Sequence, residues 1–157
     1  MKTLLLAASL TLASLNVAAA EVAYPTGYRD WTHVKSLILE EGHPLHELVG
    51  GLHHIYANDK AMKGYRGGRF PDGAVIVFDL FETSKGGNAI AEGPRKLVAV
   101  MQRDGRKFKD TGGWGFEGFA KGDPKQRAVG AQARTACFGC HAEQAAKTDL
   151  VFSVWRE

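Results

Sequence analysis

Ala74-Val75-Ile76-Val77-Phe78-Asp79-Leu80-Phe81 decides the fold. Its even positions, Ala74, Ile76, Phe78 and Leu80, are all apolar, while the other face carries Asp79. A period of two marks a strand with one face on a core. Upstream, Pro71-Asp72-Gly73 is a turn signal. Downstream, Lys85-Gly86-Gly87-Asn88 reads as a loop, and Leu97 to Arg103 as a second strand with Leu97, Ala99 and Met101 on one side. Asp104-Gly105 turns that strand, and the glycine- and aromatic-rich Gly112 to Ala120 makes another, with Trp114 and Phe116 on one face. Leu52 to Ala57 also alternates.

Helical signals are short. Asn58 is placed to cap a helix running to about Tyr65, burying Ala61, Met62 and Tyr65. Tyr24 to Trp31 predicts a short N-terminal helix with aromatic anchors, and Glu41-Gly42-His43-Pro44 a turn. Asp123-Pro124 predicts a helix start, with Asp as cap and Pro at the first helical position, leading towards Cys137. The chain ends in an apolar, extended Leu150 to Trp155. The expected class is α+β: a mainly antiparallel sheet with short flanking helices.

The N-terminus reads as an export signal. Met1-Lys2-Thr3 is a short positive region, Leu4 to Leu15 an apolar one, and Ala18-Ala19-Ala20 a small-residue cleavage site. Residues 1–20 are therefore expected to be removed, leaving one domain over 21–157 in a bacterial periplasm. The apolar stretch is too short for a membrane span, and no second one follows. Charge is near balance, with 20 Lys+Arg against 17 Asp+Glu and no basic run, so nucleic acid is not an expected partner.

The chemistry lies near the C-terminus. Cys137-Phe138-Gly139-Cys140-His141 holds the chain's two cysteines. Cys-x-x-Cys-His is the attachment signature of c-type haem. Two thiols spaced by two residues can each add to one vinyl group of a porphyrin, and the next residue, His141, supplies an axial nitrogen to iron. A zinc site would need four ligands, and no second Cys-x-x-Cys exists. A thioredoxin-like motif would sit beside a βαβ pattern. With both sulfurs used by one haem c per chain, no disulfide is expected. Arg134, three residues before Cys137, is a candidate for a haem propionate, as is Arg127, though either suits a surface charge.

The sixth ligand is the next question. Small electron-transfer cytochromes usually carry the motif near the N-terminus and a methionine downstream, but no Met follows His141. Met62 and Met101 sit where core residues are expected. The helical cytochromes c′ place the motif late in the chain, yet the period-two segments at 74–81 and 97–103 oppose a bundle. His53 and His54 are neighbours on a strand and face opposite sides. His43 and His46 have Pro44 between them, and two histidines make no zinc site. Lys85, in its Gly-Gly-Asn setting, reads as a solvated loop lysine.

Several segments together resemble one family. Tyr24-Pro25-x-x-Tyr28-Arg29-x-Trp31, then Ile55-Tyr56-x-Asn58, Phe70-Pro71-Asp72-Gly73-Ala74-Val75, and Cys137-x-x-Cys140-His141 with Lys147-Thr148-Asp149-Leu150-Val151-Phe152 are similar to the cytochrome P460 family. The resemblance implies an antiparallel β fold, a homodimer, haem c with His141 as proximal ligand, and an open distal site. It implies a structural role for Asp149. One branch of the family oxidises hydroxylamine and has a lysine bound to the porphyrin edge; the matching position here is Phe78. That branch also has a distal glutamate, which matches Ala99 here. Both departures resemble the cytochrome c′-beta branch, which binds nitric oxide under a phenylalanine cap. Val49 and Leu45 lie where a second cap residue would come from.

Chemistry agrees with that branch. Oxidising hydroxylamine removes protons as well as electrons, and a carboxylate is the natural base. Phe78 and Ala99 supply none. Dioxygen is held with help from a distal hydrogen-bond donor; nitric oxide binds iron strongly without it. The sequence thus predicts a periplasmic haem c protein binding nitric oxide in an apolar pocket, for scavenging, storage or sensing. The alternatives are a hydroxylamine- or nitric oxide-oxidising enzyme, or a simple electron carrier with a soluble redox partner.

Overall fold

The computed structural model describes residues 21–157. The predicted export signal, residues 1–20, lies outside the described residues. Five strands form one antiparallel sheet in sequential order: β1 (Thr32–Leu39), β2 (Gly51–Ala57), β3 (Val75–Gly86), β4 (Ala89–Arg103) and β5 (Trp114–Ala120). Each strand pairs with its neighbours in sequence, which makes the sheet a simple antiparallel meander. A one-turn helix, α1 (His46–Val49), joins β1 to β2, and α2 (Asp59–Gly67) joins β2 to β3. The Cys-x-x-Cys-His segment enters α3 (Gly139–Gln144) from a π-helical turn at Arg134–Phe138.

The helix α2 forms where its cap predicts. Asn58 Oδ1 accepts from the Ala61 amide at 2.8 Å and from the Val75 amide at 3.1 Å, while Asn58 Nδ2 donates to the Gly73 carbonyl at 3.0 Å. One side chain thus starts the helix and fixes the entry to β3. Ala61 and Met62 turn into the core. A Cβ at Gly64 would run into the Phe70 ring, so glycine lets α2 approach that ring closely.

Two faces of the sheet are buried by different means. On the inner face Ile55, Ala57, Ile76, Trp114 and Phe116 pack under α2, Phe70 and Val151. On the outer face Val77, Val98, Val100 and Phe119 pack under Val22 and Tyr28 of the N-terminal segment. Asp79 is 0% exposed there. Its carboxylate accepts from Tyr28 Oη at 2.7 Å and from Arg95 Nε and Nη2 at 2.7 and 3.2 Å. The face that carries Asp79 is therefore closed, and the aspartate is the hub of a satisfied polar network.

Three local expectations change, and one strand, Thr32–Leu39, lies in a stretch whose irregular pattern carries no strand signal. A bulge between His33 and Lys35 shifts the alternation and hides the period of two. The segment 85–88 is a two-residue hairpin turn at Gly87-Asn88, with φ of 56° and 62°, and β3 and β4 extend past their predicted ends to meet it. Tyr24 to Trp31 holds a single 3-10 turn at Tyr28–Asp30 in place of a helix, although Tyr28 is buried as an anchor. Asp123-Pro124 begins a turn, not a helix. The Asp123 carboxylate accepts from the Lys125 amide and the Gln126 side chain, and Arg127 pairs back onto Phe119 of β5.

Candidate haem site

Cys137, Cys140 and His141 lie at i, i+3 and i+4 on one helical run, the spacing that gathers side chains on one face. Cys137 is half-buried and packs on the inner-face core, while Cys140 is exposed. Burial, and then the charge of Glu117, pushes the Cys137 thiol up from its usual range. Among the described residues no three His, Cys, Asp or Glu side chains converge on one point as metal ligands.

His141 is oriented by the backbone. Its Nδ1–H donates to the Leu150 carbonyl at 2.7 Å. A carbonyl can only accept, so the proton sits on Nδ1 and Nε2 keeps its lone pair. Desolvation lowers the His141 pKa and so favours the neutral ring, against a smaller opposing effect of the Leu150 contact. Phe116 and Phe152 flank it, with ring centroids at 5.0 and 4.7 Å.

The Leu150 carbonyl is held in place by an unusual turn. Asp149 and Leu150 have φ of 51° and 67°, the left-handed region that non-glycine residues rarely enter. Surrounding bonds hold them there. The Asp149 carboxylate accepts from the Phe70 amide at 2.9 Å, and its carbonyl accepts from Trp114 Nε1 at 2.9 Å. Arg103 lies 3.6 Å from the same carboxylate. The Leu150 amide donates to the Ala145 carbonyl at 2.9 Å. Asp149 thus ties the turn behind His141 to Trp114 of β5 and to Phe70 in the loop that leads into β3, a structural part.

Across the inner face, Phe78 of β3 pairs directly with Ala99 of β4, and Ile55 of β2 flanks Phe78 on the other side. Leu97, Ala99 and Met101 are half-buried, whereas their outer-face neighbours Val98 and Val100 are closed off. This half-covered apolar strip shares its face with Phe116, which touches His141. Met62 is buried on the core-facing side of α2, and Met101 pairs with Phe116.

The remaining candidates separate. Arg134 Nη1 is 3.4 Å from the Asp110 carbonyl and is exposed. Arg127 is occupied by Glu117 at 3.0 Å and by the Val22 carbonyl, on the outer face. Lys85 pairs with Glu40 at 2.9 Å on the β3–β4 arm. His54 turns outward, bridging Ser36 and Glu92 at 2.6 and 2.7 Å. His53 turns inward and is 6% exposed, stacked on Phe78 with centroids 4.3 Å apart. Reading the strand gave opposite faces for the pair but not the inner one. The alternation of His53 with Ile55 and Ala57 is the signal that places it. A cleft of about 550 Å³ lies elsewhere, among Glu40, His46, Glu82, Lys85 and Lys96. Its mixed charges do not suit a flat apolar macrocycle.

The family model Cytochrome P460 matches residues 25–153, nearly the whole described chain. The chain belongs to the cytochrome P460 family. Membership makes it a cytochrome with haem iron. No curated protein matches it. The residues present fit that cofactor. A neutral imidazole presents its Nε2 lone pair, two thiols stand at the vinyl spacing, and an apolar strip lies alongside for a macrocycle to cover.

Proposed function

We propose that the chain is an exported haem c protein that binds nitric oxide on an open axial side. One haem is held through Cys137 and Cys140, with His141 as proximal ligand and Arg134 as a propionate contact. The haem iron, when bound, supplies the site where a small diatomic coordinates. The chain's residues shape that site. Asp149 and the Leu150 carbonyl hold His141 in one tautomer, and Phe78 and Ala99 form the apolar wall of the distal pocket. The observation that carries the reading is the directly paired Phe78 and Ala99 on the half-covered inner face. The family's oxidising branch, by resemblance, has a lysine and a glutamate at these positions. The cytochrome c′-beta branch, a homodimer and a periplasmic location are part of the same proposal.

Hydroxylamine oxidation is the second reading, and one observation favours it. His53 is a neutral imidazole beside Phe78, a nitrogen base at the apolar wall, although burial holds its pKa at about 4. Intact mass and a reduced spectrum separate the two. A gas-binding protein shows a haem joined by two thioethers alone and ferrous complexes with nitric oxide and carbon monoxide. The oxidising enzyme shows a lysine–porphyrin bond, a red-shifted reduced spectrum and turnover of hydroxylamine with an electron acceptor. Sedimentation tests the dimer.

A further inference from the structure

His53 carries an observation that the wall of Phe78 and Ala99 does not absorb. Strand β2 alternates, so His53, Ile55 and Ala57 share the inner face. Across the ladder His53 faces Leu80 of β3 and Leu37 of β1. Its ring stacks on Phe78 with an interplanar angle of 28°. Its Nδ1 is sealed from solvent and has no hydrogen-bond partner among the described residues. Buried polar atoms nearly always have partners, so an unmatched one requires an explanation. The structural alternative, a histidine satisfied by its neighbours, describes His54 and not His53. Burial, with Lys35 and His54 adding positive charge nearby, lowers the His53 pKa to about 4. At neutral pH the ring therefore carries one N–H and one bare nitrogen.

We propose that His53 sets the ligand preference of the pocket by offering its N–H to the outer atom of a diatomic ligand, directly or through one water. This rests on the reading that the open axial side lies over Phe78. The stacked pair would then divide the work. Phe78 supplies apolar cover, and His53 supplies a polar edge that the sequence reading of a wholly apolar wall lacks. A ligand that gathers negative charge on its outer atom, as dioxygen does, gains from such a donor. Nitric oxide, held mainly by its bond to iron, gains little. His53 therefore narrows the preference for nitric oxide over dioxygen.

The test uses the holoprotein reduced under carbon monoxide, with His53→Leu and His53→Gln variants whose haem content matches the wild type. Infrared spectroscopy should show the C–O stretch moving to higher wavenumber in His53→Leu and returning towards the wild-type value in His53→Gln, which keeps a donor. Dioxygen should dissociate roughly five- to tenfold faster from His53→Leu, the worth of one hydrogen bond. Nitric oxide dissociation should change far less. A stretch that is the same in His53→Leu and wild type overturns the role of His53 and leaves the open axial side standing. A wild-type iron that is six-coordinate and becomes five-coordinate in His53→Leu makes the residue a ligand and overturns the donor role. A ferrous wild type that binds no carbon monoxide, with or without His53, overturns the open site and this proposal together.

Discussion

The two faces of the sheet are both apolar, yet they are finished differently. On the outer face Val77, Val98 and Phe119 are sealed, and both buried carboxylates have partners, Asp79 in Tyr28 and Arg95 and Glu117 in Arg127. On the inner face Phe78, Leu97, Ala99 and Met101 are half-covered beside a neutral histidine, and the buried His53 has an unmatched nitrogen. The outer face is complete within the chain. The inner face has the shape and chemistry of a surface that something else completes. Its open strip adjoins the segment bearing Cys137, Cys140 and His141, so position and composition point to the same occupant.

Removing what covers the inner face should have the largest effect. The double variant Cys137→Ser/Cys140→Ser, made under conditions of haem attachment, should lose covalent haem. It should also unfold at lower denaturant, by on the order of 4 kcal/mol, as expected when a tightly held ligand is removed. Equal stability of the variant and the holoprotein would mean that the inner face needs no cover. A cut of similar size on the outer face should leave the site untouched. Asp79→Ala strands Arg95 and the Tyr28 hydroxyl, and should cost about 3–5 kcal/mol with an unchanged haem spectrum. A changed spectrum would break the division between the faces.

Smaller effects sharpen the comparison. His53 has a pKa of about 4 in the fold against 6.5 for a free histidine. The unfolded chain binds this proton first, so stability is full above about 6.5 and falls as the pH drops towards about 4. The loss is on the order of 3 kcal/mol for this group. His53→Leu should flatten that part of the curve, and denaturant titrations at several pH values would show an unflattened curve if another group is responsible. Asp149→Ala should cost about 1–2 kcal/mol through the lost bond to the Phe70 amide. It should also broaden the iron–histidine stretch in resonance Raman spectra, because the Leu150 carbonyl loses its brace. Asn58→Ala should cost about 1 kcal/mol, read by chemical denaturation, with no change at the haem.

Much of this was legible in the residues. Ala74 to Phe81 announced its strand because every even position is apolar and a Pro-Asp-Gly turn precedes it. Asn58 announced its helix because a capping side chain acts within three residues of itself. Cys137, Cys140 and His141 stood out because the proposed haem c attachment demands fixed covalent spacing. What stayed hidden depends on distant partners. The bulge at His33/Lys35 erased the alternation of β1, and a paired β2 was needed to reveal the strand. Asp123-Pro124 has the local chemistry of a helix start, but the pairing of Arg127 with Phe119 pulls the chain back to the sheet. Glu117 then accepts the amides of Val129 and Gly130. The inward turn of His53 and the left-handed pair at Asp149 and Leu150 depend on the whole sheet, and no five-residue window contains them.

The central claim is that a ligand reaches the iron on the side covered by Phe78. Flash photolysis of the ferrous carbon monoxide complex tests it in wild type and in Phe78→Ala. Removing the ring should speed association by roughly tenfold, about 1.4 kcal/mol of barrier, and raise the affinity. An association rate and affinity that are the same in both proteins would contradict the claim.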